Sequence, residues 1–345
     1  MEQRSIARPK IKPILSWRGT WTFYSRNQGP KTAKTSPKYL KGITIIQNSD
    51  EQANSNENMK RLSKTLRNSK SLNLLNLEIE GRNQNPHGLQ ILREGLKQIN
   101  HLQKFKITAI ETSFSQEIHP FPFFLKPMKN LTTLELPFPS TNGFLSMEKL
   151  RKFMPGLKNL KQLICLSLDF ADVYNFTVSG ILSISKGLKK CQYLQSLTLS
   201  FGACDHVPLE TVHYLASCIN ALQHLSSLAL DLGYHQSLNS TSIDLLFNAF
   251  RSTGHLKSLA FTFPTYQNAK DGASLFLQKL VEFHPLISLN LDFSIIQNHT
   301  EEDFFKNLSH ALQAQSQLQI LRIKIMHAKI EGPWAKHLAE GFKSL

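Results

Sequence analysis

Three short spacings in this chain have the residue types that chemistry needs. Ser146 with Lys149, and Ser183 with Lys186, form Ser-x-x-Lys pairs, in which a lysine amine could activate a serine nucleophile. Cys204-Asp205-His206, with His213 downstream, offers thiolate and imidazole ligands for a transition metal. Neither reading has the companions it requires. Both Ser-x-x-Lys pairs fall in helical patterns without a companion motif, so each reads as a solvated helix face. Zinc sites usually draw on two ligand pairs, and a lone Cys-x-His supplies one, so a loop cysteine and a surface histidine are the plainer account. No phosphate-cradling glycine loop, His-Glu-x-x-His helix or Gly-x-Ser-x-Gly elbow occurs. The expectation is a protein with no catalytic site, no cofactor and no metal, hence not an enzyme.

Charge and cysteine content narrow the classes further. The 345 residues carry a net charge of +15. Residues 1–38 hold nine Lys or Arg against Glu2, so about half of the excess sits in about a tenth of the chain. No apolar run approaches the ~18 residues that a bilayer span requires, so membrane insertion is not expected. Four cysteines (Cys165, Cys191, Cys204, Cys218) are too few for a disulfide framework at this length, and they point to a reducing, cytoplasmic setting. The basic start raises mitochondrial import as the alternative. Glu2, Pro9 and Pro13 weaken the amphipathic helix that import needs.

The elements that would position any site are set by a repeat. Leu-x-x-Leu-x-Leu opens at Leu72 and returns at Leu102, Leu131, Leu163, Leu194, Leu225, Leu256, Leu286 and Leu318, with Phe, Ile or Leu at the fourth and sixth places. Successive spacings run from 29 to 32 residues, and a tenth copy is read at Leu40, Ile43 and Ile45. Around the fourth, sixth and eighth places apolar residues alternate, the pattern of a strand with one buried face. Downstream the period becomes helical, as in Val212, Leu215, Ala216 and Ile219. One strand–helix unit cannot bury both its strand face and its helix stripe, whereas stacked units bury both.

These residues resemble the leucine-rich-repeat family, and among its subtypes the ribonuclease-inhibitor-like class with a full helix in each unit. The resemblance implies an α/β solenoid, a horseshoe of about ten repeats of ~31 residues with a concave parallel sheet and convex helices. It divides the chain into an extended basic arm, residues 1–38, and a repeat domain, residues 39–345. Two places depart from the family. Its ninth position is usually Asn or Cys, and here only Asn48 keeps that choice; the eighth becomes bulky instead, as Phe138, Phe170, Phe201, Leu232, Phe263 and Phe293. A phenylalanine column replacing the polar ladder is the expectation. The chain also ends at Lys343-Ser344-Leu345, where another strand would begin, so the last helix is either a cap or an internal repeat of a longer chain.

In such a solenoid the third, fifth and seventh places face the concave side. Glu78, Glu135, Asp169, Asp231 and Asp292 fall there, and from Leu131 to Leu291 that face carries acids and no bases. The expected use is a groove for a basic segment of a protein partner; the alternative is that aspartates at strand ends bond loop backbone. In the arm, Arg8, Lys10 and Lys12 alternate as an extended basic peptide would, and Trp17 and Trp21 could anchor it to a partner or to the first repeat. The function implied is a non-catalytic protein-binding scaffold or adaptor. The alternative is a structural subunit of a ribonucleoprotein or cytoskeletal assembly, anchored by the arm. Nucleic acid is not favoured as a partner. Lys158/Lys161 and Lys186/Lys189/Lys190 come with no recognisable RNA- or DNA-binding motif and read as solvated helix faces.

Overall fold

The structure is a computed structural model that describes residues 20–25, 42–48, 55–80, 86–110, 125–138, 151, 153–170, 177–202, 204, 210–233, 239–263, 269–293, 302–325 and 332–345. Among these described residues eleven strands form one sheet in strict chain order, and every adjacent pair is parallel. They are β1 (Thr20–Ser25), β2 (Gly42–Asn48), β3 (Leu74–Glu80), β4 (Lys104–Ile110), β5 (Thr133–Pro137) and β6 (Cys165–Asp169). β7 (Ser196–Ser200), β8 (Ser227–Asp231), β9 (Ser258–Thr262), β10 (Ser288–Asp292) and β11 (Ile320–Lys324) complete it. Between them run α1 (Ser55–Asn68), α2 (Pro86–Leu96), a 3-10 turn (Met154–Asn159), α3 (Val178–Leu188), α4 (Thr211–Ile219), α5 (Ser240–Ser252), α6 (Ala269–Val281) and α7 (Glu302–Ala314), with α8 (Gly332–Phe342) last. This is a leucine-rich-repeat solenoid.

Each strand buries one face because its side chains alternate. In β6, Leu166 and Leu168 are buried while Ser167 and Asp169 stand on the opposite, open face. The helices cover the leucine face with their own stripes, such as Ile243, Leu246, Phe247 and Phe250 on α5. Strands repeat every ~4.8 Å and packed helices every 8–10 Å, so stacking such units curves the sheet toward its open side. Capping starts two of the helices. Thr177 accepts from the Gly180 amide at 3.4 Å, and Asn239 accepts from the Ser242 amide at 2.9 Å.

Backbone bonds hold the stacking at both strand ends. The carbonyl before β7, from Gln195, accepts from both Ser226 and Ser227 in the next repeat, each at 2.9 Å. The same double acceptance links Asn73 to Gln103 and Lys104, and Ile287 to Gln319 and Ile320. At the other end the phenylalanine column is present. The Phe170 amide donates to the Ser200 carbonyl at 2.7 Å, one residue beyond the assigned strand, and the Phe201 amide donates to Asp231 at 2.8 Å. Rings stack between neighbours: Phe138 on Phe170 at 4.7 Å, Phe170 on Phe201 at 5.6 Å and Phe263 on Phe293 at 4.5 Å between centroids. Contacts of this kind add ~0.5–1.5 kcal/mol each beyond burial.

The sheet starts earlier than the leucine pattern does. β1 pairs with β2 in the register Trp21↔Ile43 and Phe23↔Ile45, so Trp21 and Phe23 occupy the fourth and sixth repeat places. Residues 20–25 fall inside the segment set apart as an extended arm, and the structure makes them a sheet strand. No leucine opens this strand (Arg18 stands at that place), and its offset to β2 is shorter than the repeat elsewhere, so the period does not reveal it. Arg8, Lys10, Lys12 and Trp17 lie outside the described residues. At the opposite edge, β11 leaves Leu321 and Ile323 half-buried and Ile320 exposed, whereas Leu289 and Leu291 one strand earlier are fully buried.

Candidate functional site

The open face of the sheet is built by three rows of side chains that the strand register fixes. The third-place row reads Thr133, Cys165, Ser196, Ser227, Ser258 and Ser288 across β5 to β10. The fifth-place row reads Glu135, Ser167, Thr198, Ala229, Ala260 and Asn290. Along the seventh place Asp169 stands beside Ser200, then Asp231, Thr262 and Asp292. Small side chains thus make a low floor, and three aspartates recur at every second strand, roughly 10 Å apart by strand spacing.

The acids are not equivalent. Glu135 pairs with Lys106 of β4 at 3.1 Å, and Asp292 pairs with Lys324 of β11 at 3.3 Å. The strip is therefore bounded at each end by a lysine from the flanking strand, which the window from Leu131 to Leu291 left out. Asp231 is partly buried between these ends. It accepts from the Gly233 amide at 3.0 Å and from the Ser200 hydroxyl at 3.3 Å. Burial pushes its carboxyl above the usual aspartate range, helped by the charges of Asp169 and Asp292, while the bonds from Gly233 and Ser200 pull the other way. Asp231 thus bonds loop backbone while keeping its place in the acidic row. Glu78 shares a register position with Thr108 on β4, but its side chain is outside the described residues.

The residues that suggested chemistry are placed as follows. The Ser183 hydroxyl donates to the Ser179 carbonyl at 2.7 Å, within its own helix, and Lys186 is exposed. Ser146, Lys149, Asp205 and His206 lie outside the described residues. Cys204 is fully buried, and its thiol donates to the Phe170 carbonyl at 2.9 Å, one repeat back. That bond ties a loop to the neighbouring backbone, the service the family's polar ladder performs. No residue pattern signals this bond, because loop path decides which carbonyl the thiol meets. Burial pushes the Cys191 and Cys218 thiols up to about 12, which keeps them protonated and unreactive. Among the described residues no group of three or more His, Cys, Asp or Glu is arranged to hold a metal ion, and no helix is long and apolar enough to cross a membrane.

No family model matches this sequence, and no curated protein matches it. Among solved structures, the chain is similar to the leucine-rich-repeat-containing protein LegL7 from Legionella pneumophila, at 16% identity and TM-score 0.49, over 95% of this chain and 98% of that one. It is also similar to a protein from Bacteroides fragilis at 14% identity and TM-score 0.43, over 75% of this chain and 67% of that one.

Proposed function

We propose that this protein is a non-catalytic binding scaffold that holds an extended, basic segment of a protein partner along the open face of its sheet. The in-register row Asp169, Asp231 and Asp292 on a floor of Ser, Thr and Ala carries this reading. An extended chain rises ~3.3 Å per residue, so a Lys or Arg at every third residue would meet successive acids roughly 10 Å apart. Each exposed pair contributes only ~0.2–1 kcal/mol, so recognition is collective and weakens with salt. At the β10 end of the row a bound cation must displace Lys324 from Asp292.

A synthetic extended peptide with lysine at every third residue is a suitable basic probe. Its binding in trans to the full chain can be followed by fluorescence anisotropy at low and moderate ionic strength. Replacing Asp169, Asp231 and Asp292 together with Asn should weaken it by at least about tenfold and flatten the salt dependence. Unchanged affinity with an unchanged salt slope would leave these aspartates as loop-bonding groups without a recognition role.

A further inference from the structure

One rim of the solenoid, where helices end and strands begin, is cationic through the earlier repeats. Five residues before the leucine that opens each strand stand Arg67, Lys97, Lys126, Lys158 and Lys189, one cation in each of five consecutive repeats. Two residues before the same leucines stand Lys70, Lys129 and Lys161, with Asn100 and Gln192 in the same row. All eight cations are exposed. Because the strands stack in register, the rows run side by side along the rim with a pitch between the ~5 Å of strands and the ~10 Å of helices. Among the described residues, Glu94 at 2.6 Å from Lys97 is the one carboxylate that pairs with either row.

Helix C-termini attract cations, which accounts for a single basic residue near each helix end. It does not account for the second row, since Lys70 and Lys161 lie beyond the ends of α1 and the 3-10 turn. Nor does it explain why the first row stops. The same place in later repeats reads Asn220, Val281 and Gln313, and Arg251 there is engaged by Glu282 at 3.3 Å. Where the rows end, the rim carries an aromatic pair. Tyr193 is 61% exposed and lies nearly parallel to the His224 ring, 6.1 Å between centroids and 12° between planes.

We propose that this rim binds single-stranded nucleic acid, the two cation rows following the phosphates and the Tyr193–His224 pair stacking on a base. A strand of phosphates uses a row of cations irrespective of sequence, and an unpaired base uses an exposed ring face. An acidic protein segment would use the cations and leave the rings without a role. This surface is separate from the acidic row, and the inference does not depend on that row's function.

The test measures anisotropy of a fluorescein-labelled oligothymidylate of about 15 nucleotides with the full chain over a salt series. The Lys126→Gln/Lys158→Gln/Lys161→Gln triple variant should bind at least about tenfold more weakly, with a log–log salt slope shallower by about 2. Tyr193→Ala should weaken binding about fivefold to a hundredfold and leave the slope alone. A control, Lys306→Gln/Lys336→Gln/Lys343→Gln, removes the same charge elsewhere and should bind like wild type. Residues 1–38 are present throughout, so the charge of the arm does not enter the comparison. The replaced side chains are exposed or, for Tyr193, mostly so, and unchanged melting confirms that the variants fold. A rim triple that binds as wild type, or a control triple that loses as much, overturns the proposal. So does a polyglutamate peptide that competes as well as the oligonucleotide while Tyr193→Ala has no effect, which would assign the rim to an acidic protein.

Discussion

The side-chain oxygen of Gln315 accepts from the backbone amide of Leu286 at 2.7 Å, across one repeat and in full burial. In six other repeats the opening leucine's amide is taken by the carbonyl three residues earlier, as where Leu131 bonds Met128, Leu163 bonds Leu160 and Leu225 bonds Leu222. Pro285 precedes Leu286, and proline restricts the backbone before it, so Gln315 of the next repeat supplies the acceptor. Its amide nitrogen also donates to the Leu280 carbonyl at 3.1 Å, near the end of α6.

Gln315→Leu restores the apolar residue that Leu160 and Leu222 supply at this place, yet it should destabilise. It strands the buried Leu286 N–H, a loss of ~1–3 kcal/mol, while the Leu280 carbonyl keeps its bond from the Phe283 amide at 3.2 Å. Denaturant unfolding should show a loss of about 1–3 kcal/mol, and amide exchange at Leu286 should accelerate. A variant as stable as wild type would mean that local backbone closes the Leu286 amide without the side chain.

Gly233 and Gly254 both adopt left-handed backbone, with φ of 59° and 65°. A methyl on Gly233 would land on the Phe201 carbonyl oxygen, whereas one on Gly254 would enter open space. Alanine should cost roughly 1–2 kcal/mol at Gly254, from the backbone alone. At Gly233 the collision should add roughly 1–3 kcal/mol. Equal melting temperatures for the two variants would contradict the close approach.

Asp231 links stability to pH with a definite sign. Its folded carboxyl titrates above the ordinary value of 3.8, so the folded state holds this proton more tightly than the unfolded chain does. The group's contribution to stability is present below 3.8 and is lost as pH rises through the folded value. Asp231→Asn keeps an acceptor for the Gly233 amide and removes the charge. Its stability relative to wild type should therefore rise from acid to neutral pH, which parallel thermal melts would detect. Wild-type affinity for a basic peptide should increase over the same window, as the carboxyl ionises.

Periodicity is a local property of the chain, and it carried most of the architecture. Alternating leucines followed by a helical stripe, recurring every ~31 residues, dictated parallel strands in chain order, because only stacking buries both faces. The phenylalanine column was legible for the same reason: Phe170, Phe201 and Phe263 hold one place in a known period, and all are buried. The seventh-place alignment of Asp169, Asp231 and Asp292 followed from that period too.

What the period leaves open is which atoms meet across the stack. Lys106 reaches Glu135, Lys324 reaches Asp292, Gln315 reaches Leu286 and the Cys204 thiol reaches Phe170, and each partner lies about one repeat away. β1 joins the sheet through backbone bonds that need no leucine, so Trp21 takes a repeat place that composition conceals. The sequence by itself determined the repeat, its faces and the identity of its core. The tertiary structure decided how much of the acidic row is already engaged by flanking lysines and loop amides. Those pairings depend on neighbouring strands lying within a few ångströms, a proximity that one strand's own pattern does not encode.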